Sequence, residues 1–174
     1  MVIASSDRII LRDLTEADAA NILFLNSDPE VLRYVHDVPF SDLEAARDWI
    51  ADIDKQLPQG IGRWAIESSD GTWIGRCSLR RRENGDVLMG YRLLRVHWGK
   101  GFASEAVRLM LDLAFRVHGA PYVISCVARA NIASQRVILK NGGVFWKNAT
   151  NESFADPLIF RFDPLSSPGA AGRE

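Results

Sequence analysis

Cysteine is scarce in this sequence. Cys77 and Cys126 are the only two, too few for a disulfide framework or a four-ligand zinc site, and no metal site is expected. No apolar run approaches the ~20 residues of a membrane span, and residues 1–7 are too short and too uncharged for a secretory signal. An excess of charge of one sign is missing as well. The 21 Lys and Arg stand against 22 Asp and Glu, which argues against general nucleic-acid binding, where a strong basic excess is the rule. What is present is 174 residues, 47% of them hydrophobic, enough for one sizeable core without staples. These properties predict a cytoplasmic protein, monomer or homodimer, with no membrane or nucleic-acid partner. One domain is expected over residues 1–165, with a disordered tail over 166–174, where large apolar side chains are absent.

The near-zero total conceals a skew. Residues 1–60 hold 12 acids and 5 bases, a net of −7, whereas residues 76–140 hold 12 bases and 4 acids, a net of +8. A local basic excess can focus the field for a compact polyanion, but the same counts describe two solvated faces of opposite sign. The acidic first third would suit a path for a cationic substrate. The run Arg80-Arg81-Arg82 fits either a site for an acidic partner or, more simply, a charged strand end.

Residues 8–12 read as a strand, and Thr15 followed by Asp18 as a helix start. Ser41-Asp42-Leu43-Glu44 has the form of a capping box with Ser41 as cap, and the helical spacing behind it runs to Leu57, before Pro58-Gln59-Gly60. Strands are expected over 61–67, 72–80 and 86–93, joined by turns at Asp70-Gly71 and Asn84-Gly85. From Gly101 the period becomes helical until Gly119 and Pro121. A continuous apolar run over 122–127 reads as a buried strand, followed by a short helix from Asn131 to Lys140 and strands over 144–146 and 158–162. A meander followed by a β-α-β crossover predicts an α+β fold. Trp49, Trp64, Trp73 and Trp146 fit core or groove lining, and Cys126 fits a buried small hydrophobe.

Trp98-Gly99-Lys100-Gly101-Phe102-Ala103-Ser104-Glu105 stands where a strand hands over to a long helix. The first turn of a helix leaves its N–H groups unpaired and its dipole positive, so anions are attracted there. Gly99 and Gly101 let a phosphate approach the backbone, Ala103 keeps the next turn narrow, and Lys100 adds charge. A P-loop or a dinucleotide fingerprint would need other spacings, and a plain turn is the simplest use of two glycines.

The segment from Trp98 to Ala106 resembles the acyl-coenzyme A pyrophosphate loop of the GNAT acetyltransferase superfamily, whose pattern is Gln/Arg-x-x-Gly-x-Gly/Ala. Gly101 and Ala103 match its last two fixed positions, and Trp98 replaces the Gln/Arg. The Trp-Gly-Lys-Gly variant looks like the branch containing ribosomal-protein alanine N-acetyltransferases. Leu11-Arg12-Asp13-Leu14-Thr15-Glu16-Ala17-Asp18, Asp28-Pro29-Glu30-Val31, Ile74-Gly75-Arg76, Gly90-Tyr91 and Asn131-Ile132-Ala133-Ser134 agree with that branch.

The resemblance implies a mixed, mostly antiparallel sheet splayed between two parallel strands and flanked by about four helices. It implies acetyl-CoA as cofactor and an amine acceptor, either a protein N-terminus or a small molecule. The pantetheine arm would pair with backbone around Leu93 and Leu94, one of whose amides is the expected oxyanion donor, and the pyrophosphate would take the amides from Gly99 to Ser104. Many relatives carry a Tyr that protonates the thiolate seven residues after the motif Asn; here that position is Ile138. Ser134 is the implied replacement, its alternative being a bond back to its own helix. Asn131 is either a pantetheine contact or a helix cap. For the base, Asp86 is either catalytic or part of the Asn84-Gly85 turn; Glu67 and His97 are nearby alternatives. A non-catalytic coenzyme A-binding module is the competing function.

Overall fold

The computed structural model describes residues 1–35, 38–53, 55, 57–149 and 156–164; the expected tail at 166–174 lies outside them. The chain begins with an antiparallel pair, β1 (Val2–Ser5) and β2 (Ile9–Asp13). Only β2 carries the alternation that marks a strand in sequence, with Ile9 and Leu11 fully buried; β1 is an edge with little burial and no such pattern. The Thr15 amide donates to Asp18 Oδ2 at 2.8 Å, and one 3-10 turn leads into α1 (Ala19–Leu25). A single-turn helix follows, α2 (Pro29–Leu32), capped by Asp28.

In α3 (Leu43–Ala51) the cap is displaced by one residue from expectation: Asp42 Oδ1 accepts from the Ala45 amide at 2.9 Å, while Ser41 donates to Asp42. A carboxylate outcompetes a hydroxyl at the positive end of a helix. The helix also ends sooner than expected, because the Ile53 amide turns back to the Ile50 carbonyl and closes the last turn.

Strands β3 (Ile61–Ser68), β4 (Trp73–Arg81) and β5 (Val87–Leu93) form the expected meander. Then come α4 (Phe102–Asp112), which runs into a five-residue π turn (Leu113–Val117), β6 (Val123–Ala128), α5 (Ile132–Lys140), β7 (Val144–Asn148) and β8 (Pro157–Phe162). All eight strands share one sheet in the order β1-β2-β3-β4-β5-β6-β8-β7. The α+β expectation holds, with five α-helices among the described residues rather than about four, since the short α2 escapes the sequence pattern. One face of the sheet packs under α4 and α5 through Val107, Met110 and Ile138; the other packs under α1 and α3 through Ile22, Leu25 and Ala46.

The feature that matters for function lies in the middle. Every neighbouring pair is antiparallel except β5 and β6, which run parallel and pair only at Val87↔Val123 and Leu88↔Ile124. β5 is paired with β4 along its whole length, and β6 with β8 along its own. Each strand is therefore held by its outer neighbour, and the two part beyond Leu88. The sheet splays where the resemblance implied.

Candidate active site

Two cavities meet in the gap between β5 and β6. One, of about 430 Å³, lies toward α4 and α5; the other, of about 310 Å³, lies over β3, β4 and β5. They share Tyr34, Val35, Tyr91, Arg92, Asn131 and Ser134.

The larger cavity begins at the glycine loop. Gly99 (φ 73°) and Gly101 (φ 87°) are both in the left-handed region that disfavours side chains. Gly101 is the N-cap of α4, no side chain caps the helix, and its first backbone bond runs from Glu105 N to Gly101 O at 3.2 Å. The amides of Phe102, Ala103 and Ser104 thus precede the first intrahelical donor and face the cavity these residues line. The loop is pinned on both sides. Trp98 Nε1 donates to the Leu93 carbonyl at 2.9 Å, and Arg8 donates to the Lys100 carbonyl at 3.2 Å while pairing with Glu105. The buried Ser104 hydroxyl accepts from Asn141 Nδ2 at 2.8 Å.

Lys100 does not line this cavity. Arg136 and Lys140 do: four residues apart on α5, they share a helix face. Sequence reasoning missed them, although their i,i+4 spacing was visible. His97 also lines the groove, edge-on to Phe102 with centroids 6.0 Å apart. Burial, aided by Lys100, holds its imidazole below the ordinary value.

In the gap, ladder phase decides which amides are available. The Leu94 amide donates to the Ile74 carbonyl at 3.0 Å, so the alternation of an antiparallel ladder turns the backbone groups of Leu93, Tyr91 and Met89 toward β6. Leu94 is thereby corrected as an amide donor to the gap, and Leu93 retained. Met89 O already accepts from Ser125 Oγ at 3.3 Å.

Across the gap the Tyr91 hydroxyl lies 2.9 Å from Ser134 Oγ. Tyr91 is half-buried; loss of water around its hydroxyl pushes it up to about 12, with the Ser134 bond pulling the other way. Asn131 Oδ1 accepts from the Ser134 amide at 3.1 Å, so Asn131 is a helix cap that also lines both cavities. Ile138 is fully buried in the core.

Asp86 is elsewhere. It sits before the paired end of β5, accepting from Asn84 Nδ2 at 2.9 Å and from the Tyr122 hydroxyl, and it lines neither cavity. Five residues of strand, about 16 Å, separate it from Tyr91, so its turn role is the one realised. Glu67 is tied to Arg12 at 2.6 Å.

The smaller cavity is lined by Arg63, Arg76, Arg80 and Arg92, with no acidic side chain among the described residues. Of the acids in the first third, Asp18 pairs with Arg12, Asp28 and Asp42 cap helices, Glu16 pairs with Arg47, and Glu30 lines the larger cavity; Asp37 and Asp54 lie outside the described residues. Trp64 and Trp73 belong to the cores, Trp146 is exposed, and Trp49 backs the arginines; Cys126 is half-buried and lines this cavity. Among the described residues no cluster of His, Cys, Asp or Glu could hold a metal ion, and no helix is long and apolar enough to cross a membrane.

Comparison with known proteins bears on this geometry. Residues 8–144 match the acetyltransferase (GNAT) domain family. Over 115 residues the chain is 41% identical to an uncharacterized N-acetyltransferase, p20, of Bacillus licheniformis, a match covering 63% of this chain and 64% of that protein. The fold superposes with a TM-score of 0.80 on the ribosomal L7/L12 α-N-protein acetyltransferase RimL in complex with coenzyme A, at 18% identity, covering 94% of this chain and 98% of that one. It superposes with a TM-score of 0.77 on spermidine N-acetyltransferase from Vibrio cholerae in complex with CoA and spermine, at 19% identity, covering 91% and 96%. At such identities these two likenesses speak for the fold alone. The family match covers most of the chain, which belongs to the GNAT family of acetyltransferases, enzymes that use acetyl-CoA.

Proposed function

We propose that this N-acetyltransferase passes an acetyl group to a primary amine by direct attack in a ternary complex, with the cofactor in the larger cavity and the acceptor in the smaller. The observation that carries this is the meeting of the two cavities at one pair of hydroxyls, Tyr91 and Ser134. Bound acetyl-CoA supplies its acyl group as a thioester, which an amine can attack directly.

The amides of Phe102, Ala103 and Ser104, bared by Gly99 and Gly101, would hold the diphosphate, with Arg136 and Lys140 beside them. Backbone groups of Tyr91 and Leu93 would hold the pantetheine arm, and the Leu93 amide is the donor available to a developing oxyanion. Ser134 is the hydroxyl that would donate to the departing sulfur. Tyr91, protonated throughout the neutral range, orients that hydroxyl and supplies the next proton in line. Ribosomal-protein N-termini and small amines are both acceptor classes of structurally similar proteins.

Initial-rate kinetics test the ternary complex. Varying acetyl-CoA and amine together should give intersecting double-reciprocal lines, and mass spectrometry should find no acetylated protein after incubation without an acceptor. Parallel lines with a stable acetyl group on the chain, for example on Cys126, would overturn direct attack.

A further inference from the structure

Ser104 and Asn141 meet where the two helices beside the larger cavity come together. Ser104 is the third residue of α4, and Asn141 is the residue that ends α5. Asn141 Nδ2 lies 2.7 Å from the Val137 carbonyl oxygen and 2.8 Å from Ser104 Oγ. A carbonyl oxygen can only accept, so the side-chain group turned toward Val137 must be the NH2. The same NH2 gives its other proton to Ser104, whose hydroxyl is thereby fixed as the acceptor of this bond. The arrangement carries a penalty: Asn141 Oδ1 is buried with no hydrogen-bond partner among the described residues, and such an acceptor destabilises a fold.

A hydroxyl that accepts still has its own proton to give. Among the described residues nothing takes the proton of Ser104, since the bond from Asn141 is the one its Oγ makes. A serine within a helix often returns this proton to the carbonyl one turn back. For Ser104 that carbonyl belongs to Lys100, and it accepts from Arg8 at 3.2 Å instead. Ser104 is only 6% exposed and lines the larger cavity, beside the amides that begin α4. A buried donor left unused at the positive end of a helix calls for an acceptor from outside the chain.

We infer that Asn141 is a positioning residue for the cofactor: it holds Ser104 Oγ as an acceptor, turns the hydroxyl proton into the cavity, and so adds a side-chain donor to the amides that meet the diphosphate. This deepens the proposed function and rests on it. Asn141 does not line the larger cavity, whereas Ser104 does, so its effect passes through that hydroxyl. Its second bond, to Val137, anchors it on the helix that brings Arg136 and Lys140 to the same cavity.

Calorimetric titration of the full chain with coenzyme A tests the inference. Ser104→Ala should weaken the Kd by about tenfold, the scale of one hydrogen bond to a charged group. Asn141→Ala should lose part of the same tenfold, and the double variant should bind no more weakly than Ser104→Ala alone. Phosphorus NMR of bound coenzyme A adds a signature that a packing defect would not give: in both single variants the diphosphate resonances should shift while the 3′-phosphate resonance stays. Should Asn141→Ala fail to fold, Asn141→Asp keeps the shape but accepts the Ser104 proton, and should weaken binding at least as much as Ser104→Ala. Wild-type affinity in Ser104→Ala, additive losses in the double variant, or all phosphate resonances moving together would overturn the inference and leave the acetyltransferase reading intact. A wild-type protein that binds no coenzyme A would instead remove the proposed function beneath it.

Discussion

Tyr91 and Ser134 are 43 residues apart in the chain, and their hydroxyls meet at 2.9 Å. One comes from β5 and the other from α5, so the contact spans the place where the sheet opens.

If the pair acts as one proton relay, its members are not additive. Ser134→Ala should lower kcat by about 100-fold, the low end of general acid catalysis, with the Kd for coenzyme A unchanged. Tyr91→Phe should cost less, about tenfold, and the double variant should be no slower than Ser134→Ala alone. Steady-state kinetics of the four proteins measure the coupling; fully additive losses would separate the two residues.

Gly101 is in the left-handed region with φ 87°, and an added β-carbon would lie 3.3 Å from Arg8 Nη2. Gly101→Ala should cost about 1–2 kcal/mol of stability from backbone strain and weaken coenzyme A binding as the helix-start amides turn. Urea denaturation and calorimetry check the two effects separately; wild-type affinity would free this loop from cofactor binding.

Ile138 occupies the position where many relatives carry a tyrosine acid. It is fully buried, and together with Phe162 it crowds the site of a β-carbon on Gly143. Ile138→Tyr should therefore overpack the core, losing about 1–3 kcal/mol, without raising kcat. A faster enzyme would show that a tyrosine here still reaches the reacting sulfur.

Asp18 contributes a pH-dependent term to stability. Burial alone would raise its carboxyl, but the Arg12 fork, with contacts at 2.8 and 2.9 Å, and the Thr15 amide outweigh that and hold it below the ordinary value. A lowered folded-state value stabilises fully above the unfolded value of about 4 and is lost as pH falls through the lower folded one. Asp18→Asn should cost about 2 kcal/mol at pH 7, between an exposed and a buried pair, and flatten the acid limb. Urea midpoints at pH 7 and near pH 3 compare the two proteins.

Local signals proved readable where the physics is local. The glycines at 99 and 101, the apolar run that became β6, and the turn residues at Asp70-Gly71 and Asn84-Gly85 all stand where the pattern predicts. What depends on register did not show. Whether Leu93 or Leu94 faces the gap is a matter of ladder phase with β4, one residue changing the answer. Arg63, Arg76 and Arg92 lie on three strands, and only their pairing gathers them onto one face. Tyr91 was visible as a strand residue, but its partner Ser134 comes from a helix beyond the crossover. Lys100 misled because an adjacent charge is an obvious candidate, while the lysine and arginine that line the groove come from α5.

The most direct test is the structure of the protein bound to coenzyme A. The diphosphate should lie on the amides between Gly99 and Ser104, the pantetheine arm between β5 and β6, and the sulfur within about 3.5 Å of Ser134 Oγ. A bare helix start, or a sulfur on the far side of β5 from Ser134, would contradict this.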